Sequence, residues 1–405
     1  MEPFVIEGAE VVLGDRVARV SVRVEDGRIA ALDGPRDGAR VVDTRGLLLA
    51  PALVDIHGDA FERQLMPRPG VFFPVDAAML ETDRQLAANG IATAYHALTL
   101  SWEPGLRSVE RGEAVVDALG ALAGRLAVEH RLQLRWETFC FEARPLIERA
   151  LAGRLTPSVA FNDHTTMALL DPAVPLQDRP FDLAPDYPLT DMDHPRFAEK
   201  MEARAQRSGM TAEAFTRLLA EVWERRPEVP DVIAEIAGMG RAQGAPMLSH
   251  DDSQTDTRAF YRAHGARISE FPMNRRVARA AREDGDWIVF GAPNATRGGS
   301  HLGSPGAAEM IAEGLCDILA SDYFYPSMIA AIARLSEDKV GELPDLWRLV
   351  SANAAAASGL ADRGEIAIGL RADLVLIDWP ERGHPAPVLT LREGRVAHAA
   401  RAFGI

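Results

Sequence analysis

Pro51-Ala52-Leu53-Val54-Asp55-Ile56-His57-Gly58-Asp59 is an apolar run that closes on a histidine and a carboxylate two residues apart. Its aliphatic residues read as a buried strand, and its polar end marks where that strand leaves the core. On an extended segment, residues two apart point the same way, so His57 and Asp59 can both reach one ion. A solvent-facing histidine beside a turn aspartate gives the same letters, so the pair acquires meaning only from what surrounds it.

Working outward, this run at 52–57 is followed by seven others, at 91–98, 132–138, 158–164, 245–250, 267–271, 287–292 and 315–322. Helical periodicity fills several of the gaps, at 77–89, 109–126 and 305–313, with Gly90 and Gly314 placed as helix stops. Eight strands alternating with helices predict an α/β fold, a (β/α)8 TIM-like barrel over 51–359. Residues 4–49 instead alternate short apolar runs with turns at Gly14-Asp15, Asp26-Gly27 and Asp33-Gly34, and the tail at 372–378 and 388–396 has the same β character. The two chain ends, 1–50 and 360–405, are therefore expected to pair into a small β-sandwich domain. The long connection after His164 is expected to carry a lid-like segment at about 165–232.

Composition narrows the function classes. The chain has 405 residues, 47% hydrophobic and 25% charged, the balance of a folded globular protein. A formal charge of −15 argues against a nucleic-acid binder, which needs a basic face. The longest apolar stretch, 47–54, is too short to cross a membrane, and the acidic start lacks a signal-peptide pattern, so a cytoplasmic location is expected. Cys140 and Cys316 read as two buried thiols. The 44 basic residues include only Lys200 and Lys339, and neither ends an apolar strand. A carboxylated lysine between two metals is thus not expected, and any bridging group should be Asp or Glu.

In a parallel barrel, function is built at the carboxyl ends of the strands. Here those ends carry His57 and Asp59, then Glu137, His164, His250 and Asp322. This mixture of imidazole and carboxylate predicts a divalent metal centre of one or two ions, with Zn²⁺ the first choice on ligand type. The expected arrangement puts His57, Asp59 and Asp322 around one ion, His164 and His250 around the other, and Glu137 between them. Asp322 is the candidate general base toward water, and hydrolysis is the implied chemistry. His96, at the end of its strand, and His301, in a glycine-rich loop, are further candidates to face the site, the second with a catalytic role.

These motifs resemble one branch of the amidohydrolase superfamily, the PhnM family of alpha-D-ribose 1-methylphosphonate 5-triphosphate diphosphatases of phosphonate metabolism. The likeness is carried by 51–59, Pro67-Arg68-Pro69, 130–137, Asn162-Asp163-His164, Ser249-His250-Asp251-Asp252, Glu270-Phe271-Pro272, the glycine-rich run 291–303 and Ser321-Asp322-Tyr323. The resemblance implies a barrel with a flanking β-sandwich, a metal centre, and hydrolysis of a 5-triphosphate to the 5-phosphate and pyrophosphate. An anionic small-molecule substrate of that kind needs planar cationic donors, and Arg297, Arg68 and Arg135, with Asn294, are the candidates for its phosphates. Arg297 lies among glycines whose N–H groups can approach an anion closely. The sequence departs from the family pattern at Gly58, where threonine is common, and at Phe61-Glu62-Arg63 and Met273-Asn274, which bears on substrate identity.

Two other readings share the scaffold. One is an amidohydrolase that cleaves a C–N bond, such as a deacetylase or cyclic amidase. The other is a non-catalytic metal-bound subunit of a phosphonate-processing assembly. No partner beyond the substrate is implied, although a homo-oligomer is compatible with the sequence.

Overall fold

In a computed structural model, residues 2–300 and 303–403 are described. Eight parallel strands run in sequence order around one sheet: β1 (Leu53–Gly58), β2 (Ile91–Leu100), β3 (Glu129–Glu137), β4 (Ser158–Asn162), β5 (Met247–His250), β6 (Ile268–Glu270), β7 (Trp287–Gly291) and β8 (Ile318–Ala320). The first and last strands meet through a parallel bridge between Gly58 and Asp322. There Asp322 N donates to His57 O and Asp59 N to Asp322 O, both at 2.9 Å. The expected (β/α)8 barrel is thus present, closed at the residues that were expected to bind metal.

Strand parity decides what faces the barrel axis. Val54, Ile56, Tyr95, Leu248, Ile268 and Ile318 pack together inside it. Two residues beyond Leu248 and Ile268 come His250 and Glu270, and four beyond Ile318 comes Asp322. The opposite parity faces the helices: Leu98, Leu100, Leu134 and Trp136 pack against Leu146, Ile147 and Ile236 of the outer layer.

That rule corrects the expectation for His96. It shares the parity of Leu98 and Leu100, so its ring points outward, 1% exposed, away from the axial cavity. Its Nε2 lies 2.7 Å from His130 Nδ1, and His130 Nε2 lies 3.0 Å from Asp83 Oδ1 on the helix Val75–Ala88. Asp83 also accepts from Ala127 N and Val128 N. His96 therefore belongs to a chain of side-chain contacts that ties a helix to the barrel wall, and its ring is engaged there with His130.

Both chain ends supply a six-stranded sheet in the order Arg395–Ala399, Ala386–Arg392, Leu374–Asp378, Leu48–Pro51, Glu10–Val12, Val17–Ala18. A four-stranded sheet of N-terminal residues packs on it around Phe4, Ile6, Val22, Ile29, Leu49 and Leu374. Cys140 and Cys316 are free and buried. No helix among the described residues is long and apolar enough to cross a membrane.

Where the sheets meet the barrel, Glu129 of β3 is held by Arg371 at 2.8 Å, Arg363 at 3.0 Å and Arg131 at 2.6 Å. Burial alone would raise its pKa, but the three guanidinium groups outweigh burial and hold it at about 2. A depressed carboxylate pKa adds stability that is complete above the unfolded value and lost as pH falls through the folded one. Glu129→Gln is expected to cost about 3 kcal/mol near neutral pH, with that difference from the wild type shrinking between about pH 4.5 and 2. Denaturant melts of both proteins across that range check it; a difference independent of pH would contradict the assignment.

Candidate metal centre

Each strand end delivers its polar residue by a local device. In β1, pairing with β2 shifts register between Asp55 and Gly58, and such an irregularity re-aims the following side chains, here His57. Asp55, fully buried, accepts from Ser321 N at 3.0 Å and from Ser321 Oγ at 2.5 Å, locking β1 to β8 beneath the ligands. A Cβ at Gly58 would lie 2.6 Å from Asp55 Oδ2, which gives the glycine at this position a steric reason. At the other strand ends the chain turns through the left-handed region: Asp251 follows β5 at φ 58°, Phe271 follows β6 at φ 54°, and Asp322 lies at φ 55°. Non-glycine residues seldom adopt this conformation, and these three line one cavity.

The result is a continuous chain of possible ligands in three overlapping groups: His57, Asp59 and Asp322; His57, His250 and Glu270; His164, His250 and Asp251. Within each group one donor atom per residue lies within 4.8 Å of the others. His57 Nδ1 stands 3.0 Å from Glu270 Oε1, and His250 Nε2 3.8 Å from Glu270 Oε2. His250 Nδ1 lies 3.1 Å from Asp251 Oδ2. The geometry suits a divalent cation. His57 Nδ1, both ring nitrogens of His250 and Oε2 of Glu270 are buried without an aligned hydrogen bond, a costly state that an ion would relieve.

Two carboxylates stand differently from the sequence expectation. Glu137 is turned to His164, accepting from its backbone N at 3.0 Å and lying 2.6 Å from its Nδ1. Burial would raise its pKa, but His164, then Arg135 and Arg204, hold it at about 2. In this arrangement it orients His164, and the position between the two histidine-bearing halves is taken by Glu270. Glu270 is fully buried and also accepts from Gln133 Nε2 at 2.8 Å. Neither Glu270 nor Asp251 was assigned a role from the sequence. The signal for Glu270 was its period-two spacing from Ile268, hidden because the apolar run continues into Phe271.

Asp322 sits beside Asp59, and burial first, then that neighbouring charge, pushes its pKa up to about 7. The cavity above it, about 290 Å³, is lined by Asp59, Arg135, His164, His250, Asp322 and, at its mouth, Arg297.

The phosphate candidates separate. Arg135 is 7% exposed, its Nη1 3.6 Å from Asp59 and its Nε donating to Asn162 Oδ1 at 3.1 Å. Arg297 is exposed at the mouth, its Nη1 3.5 Å from Tyr323 Oη. The glycine-rich run begins as the helix Ala292–Arg297, capped by Gly298 at φ 79°, so Arg297 lies at a helix end that presents carbonyl oxygens. Its guanidinium, rather than clustered N–H groups, is what it offers an anion. Asn294 lines the cavity, but its amide is engaged with Pro305 O at 3.2 Å and Ala307 N at 2.9 Å. Arg68 is exposed, forms a backbone bridge with Val71 and is not among the residues that line the cavity. His301 lies outside the described residues.

The long connection reaches this centre from the side. Arg179, 1% exposed, pairs with Asp182 at 2.8 Å and donates to Asp251 O at 3.1 Å. The helices Pro195–Arg207 and Ala212–Trp223 pack through Phe197, Met201, Phe215 and Leu219 onto Ala168 and Leu169, just beyond His164.

The barrel, its flanking sheets and the polar ring at its carboxyl end define an amidohydrolase fold. Solved structures agree: molinate hydrolase aligns with TM-score 0.62 at 14% identity over 98% of this chain and 94% of its own. A D-hydantoinase aligns at 0.62 and 12% over 99% and 96%, and an amidohydrolase from a Sargasso Sea environmental sample at 0.59 and 16% over 100% and 94%. No protein-family profile matches the chain. In sequence it is 32% identical over 379 residues to alpha-D-ribose 1-methylphosphonate 5-triphosphate diphosphatase of Escherichia coli (strain K12), covering 92% of this chain and 94% of that one. The chain belongs to the family of that diphosphatase.

Proposed function

We propose that the chain is a metal-dependent hydrolase that releases pyrophosphate from a ribose 1-alkylphosphonate 5-triphosphate, leaving the 5-phosphate. The observation that carries this reading is the near full-length kinship with the Escherichia coli diphosphatase. The ligand chain supports it, since hydrolysis of a phosphoric anhydride needs charge neutralised at the reacting oxygens. On ligand type zinc is favoured. His57, Asp59 and Asp322 would hold one ion; His164, His250 and Asp251 would hold a second, with Glu270 between. When bound, a divalent ion supplies Lewis acidity toward phosphoryl oxygens and toward water.

The chain's own residues do the rest. Asp322 accepts the proton of the attacking water as its oxygen adds to the α-phosphorus. The bond from that phosphorus to the oxygen bridging to the β-phosphorus breaks, and pyrophosphate leaves with that oxygen. Arg135 inside the cavity and Arg297 at its mouth meet the charge of the departing group. Residues 51–359 act as the catalytic barrel, 1–50 and 360–405 as the sandwich that braces it, and 165–232 as an element covering the site beside His164. A highly charged phosphorylated substrate fits a cytoplasmic enzyme.

Phosphorus NMR of zinc-replete protein with ribose 1-methylphosphonate 5-triphosphate tests the reading. Pyrophosphate is expected, ceasing after chelation and returning with added metal. Absence of pyrophosphate, with turnover of N-acyl or cyclic-imide compounds instead, would overturn it.

A further inference from the structure

The name of the Escherichia coli relative describes a ribose charged at both ends, with a triphosphate at C5 and a methylphosphonate at C1. The axial cavity, with its ligands and two arginines, accounts for the triphosphate end. A second cavity of about 440 Å³ borders the first at His164, which lines both.

Its chemistry differs from that of the first. Met167, Leu170, Leu176 and Met201 give it an apolar surface, and Lys200 and Arg204 give it charge. Lys200 Nζ donates to Ala168 O at 3.1 Å, which uses one of the three donors an ammonium carries. Arg204 directs its terminal nitrogens at His164 O, at 3.3 and 3.4 Å. Its carboxylate neighbour, Glu103, stands at 3.5 Å and is held more closely by Arg207, at 2.9 Å. Asp171 also lines the cavity, but its carboxylate accepts from Ala173 N at 2.8 Å. One of the two lysines in a chain of formal charge −15 thus lines, with an arginine and apolar side chains, a cavity that the candidate ligand His164 also lines.

We propose that this cleft is the subsite for the C1 alkylphosphonate, with Lys200 and Arg204 holding the phosphonate oxygens and the methionine and leucine side chains receiving the alkyl group. The inference rests on the function proposed above. Because Met167 and Met201 are unbranched and polarizable, the cleft accommodates alkyl groups larger than methyl.

Steady-state kinetics on two substrates test it: ribose 1-methylphosphonate 5-triphosphate and ribose 5-triphosphate without the phosphonate. The wild type is expected to prefer the first in kcat/KM. Lys200→Met is expected to reduce that preference about tenfold, through KM, as fits the loss of one charge-assisted hydrogen bond. Lys200→Arg should recover most of it. Equal effects on both substrates, or none, overturn the subsite. A wild type that turns over both substrates equally well also overturns the subsite while leaving the diphosphatase reading intact. A wild type that releases pyrophosphate from neither overturns the diphosphatase reading and the subsite with it.

Discussion

Asp322→Asn is expected to lower the rate of pyrophosphate release by about 10²–10⁴-fold, the usual contribution of a positioned proton acceptor. Asparagine is the informative replacement because it tolerates the left-handed backbone that Asp322 adopts at φ 55°, which alanine would resist. The hydrogen bonds that close the barrel here run through the backbone of residue 322, so they survive the change. Asp322 also belongs to the group with His57 and Asp59, so metal content must be measured beside kcat. Lost turnover with retained metal and an unchanged melting temperature identifies the proton acceptor. Wild-type activity in the variant would remove Asp322 from the reaction.

The second large effect is expected at Glu270. Glu270→Gln keeps shape and volume while removing the charge between His57 and His250, so the two histidines face an uncharged amide that is only half acceptor. Loss of a group that merely supports a ligand typically costs 10–100-fold in metal affinity. A direct ligand in a fully buried position should cost at least about that much. Metal titration followed by elemental analysis and activity checks it: the variant should need far more zinc for half-maximal turnover. Glu137→Gln should have a smaller effect, exerted through the orientation of His164. If Glu137→Gln proves the more damaging for metal binding, the carboxylate lies between the metals as the sequence alone suggested.

Much of the architecture was legible before any coordinates. Eight apolar runs separated by helical periodicity lie where the eight strands form, within a few residues at each end. The β character of both chain ends matches strands that share one sheet, Leu374–Asp378 running antiparallel to Leu48–Pro51. His57, Asp59, His164, His250 and Asp322 were picked out because each polar side chain ends an apolar strand or follows its end, and the structure brings all five to one rim. Arg135, named as a phosphate candidate, stands two residues before Glu137 on β3 and lines the axial cavity.

The misplacements have a common origin. His96 was taken for a site residue because it lies near a strand end, yet its parity sends it outward to His130 and Asp83. Arg68 lies on a loop and Arg297 at the end of a short helix, neither of which periodicity specifies, and of the two only Arg297 lines the cavity.

What the sequence by itself determined is the set of strands and the chemical type of the centre, because these depend on local alternation and composition. Which carboxylate lies between the histidines was decided by the tertiary structure. Closing eight tilted strands into a barrel staggers them along the axis, and that stagger, absent from any single strand's pattern, sets Glu270 level with His57 and His250 while it leaves Glu137 against His164.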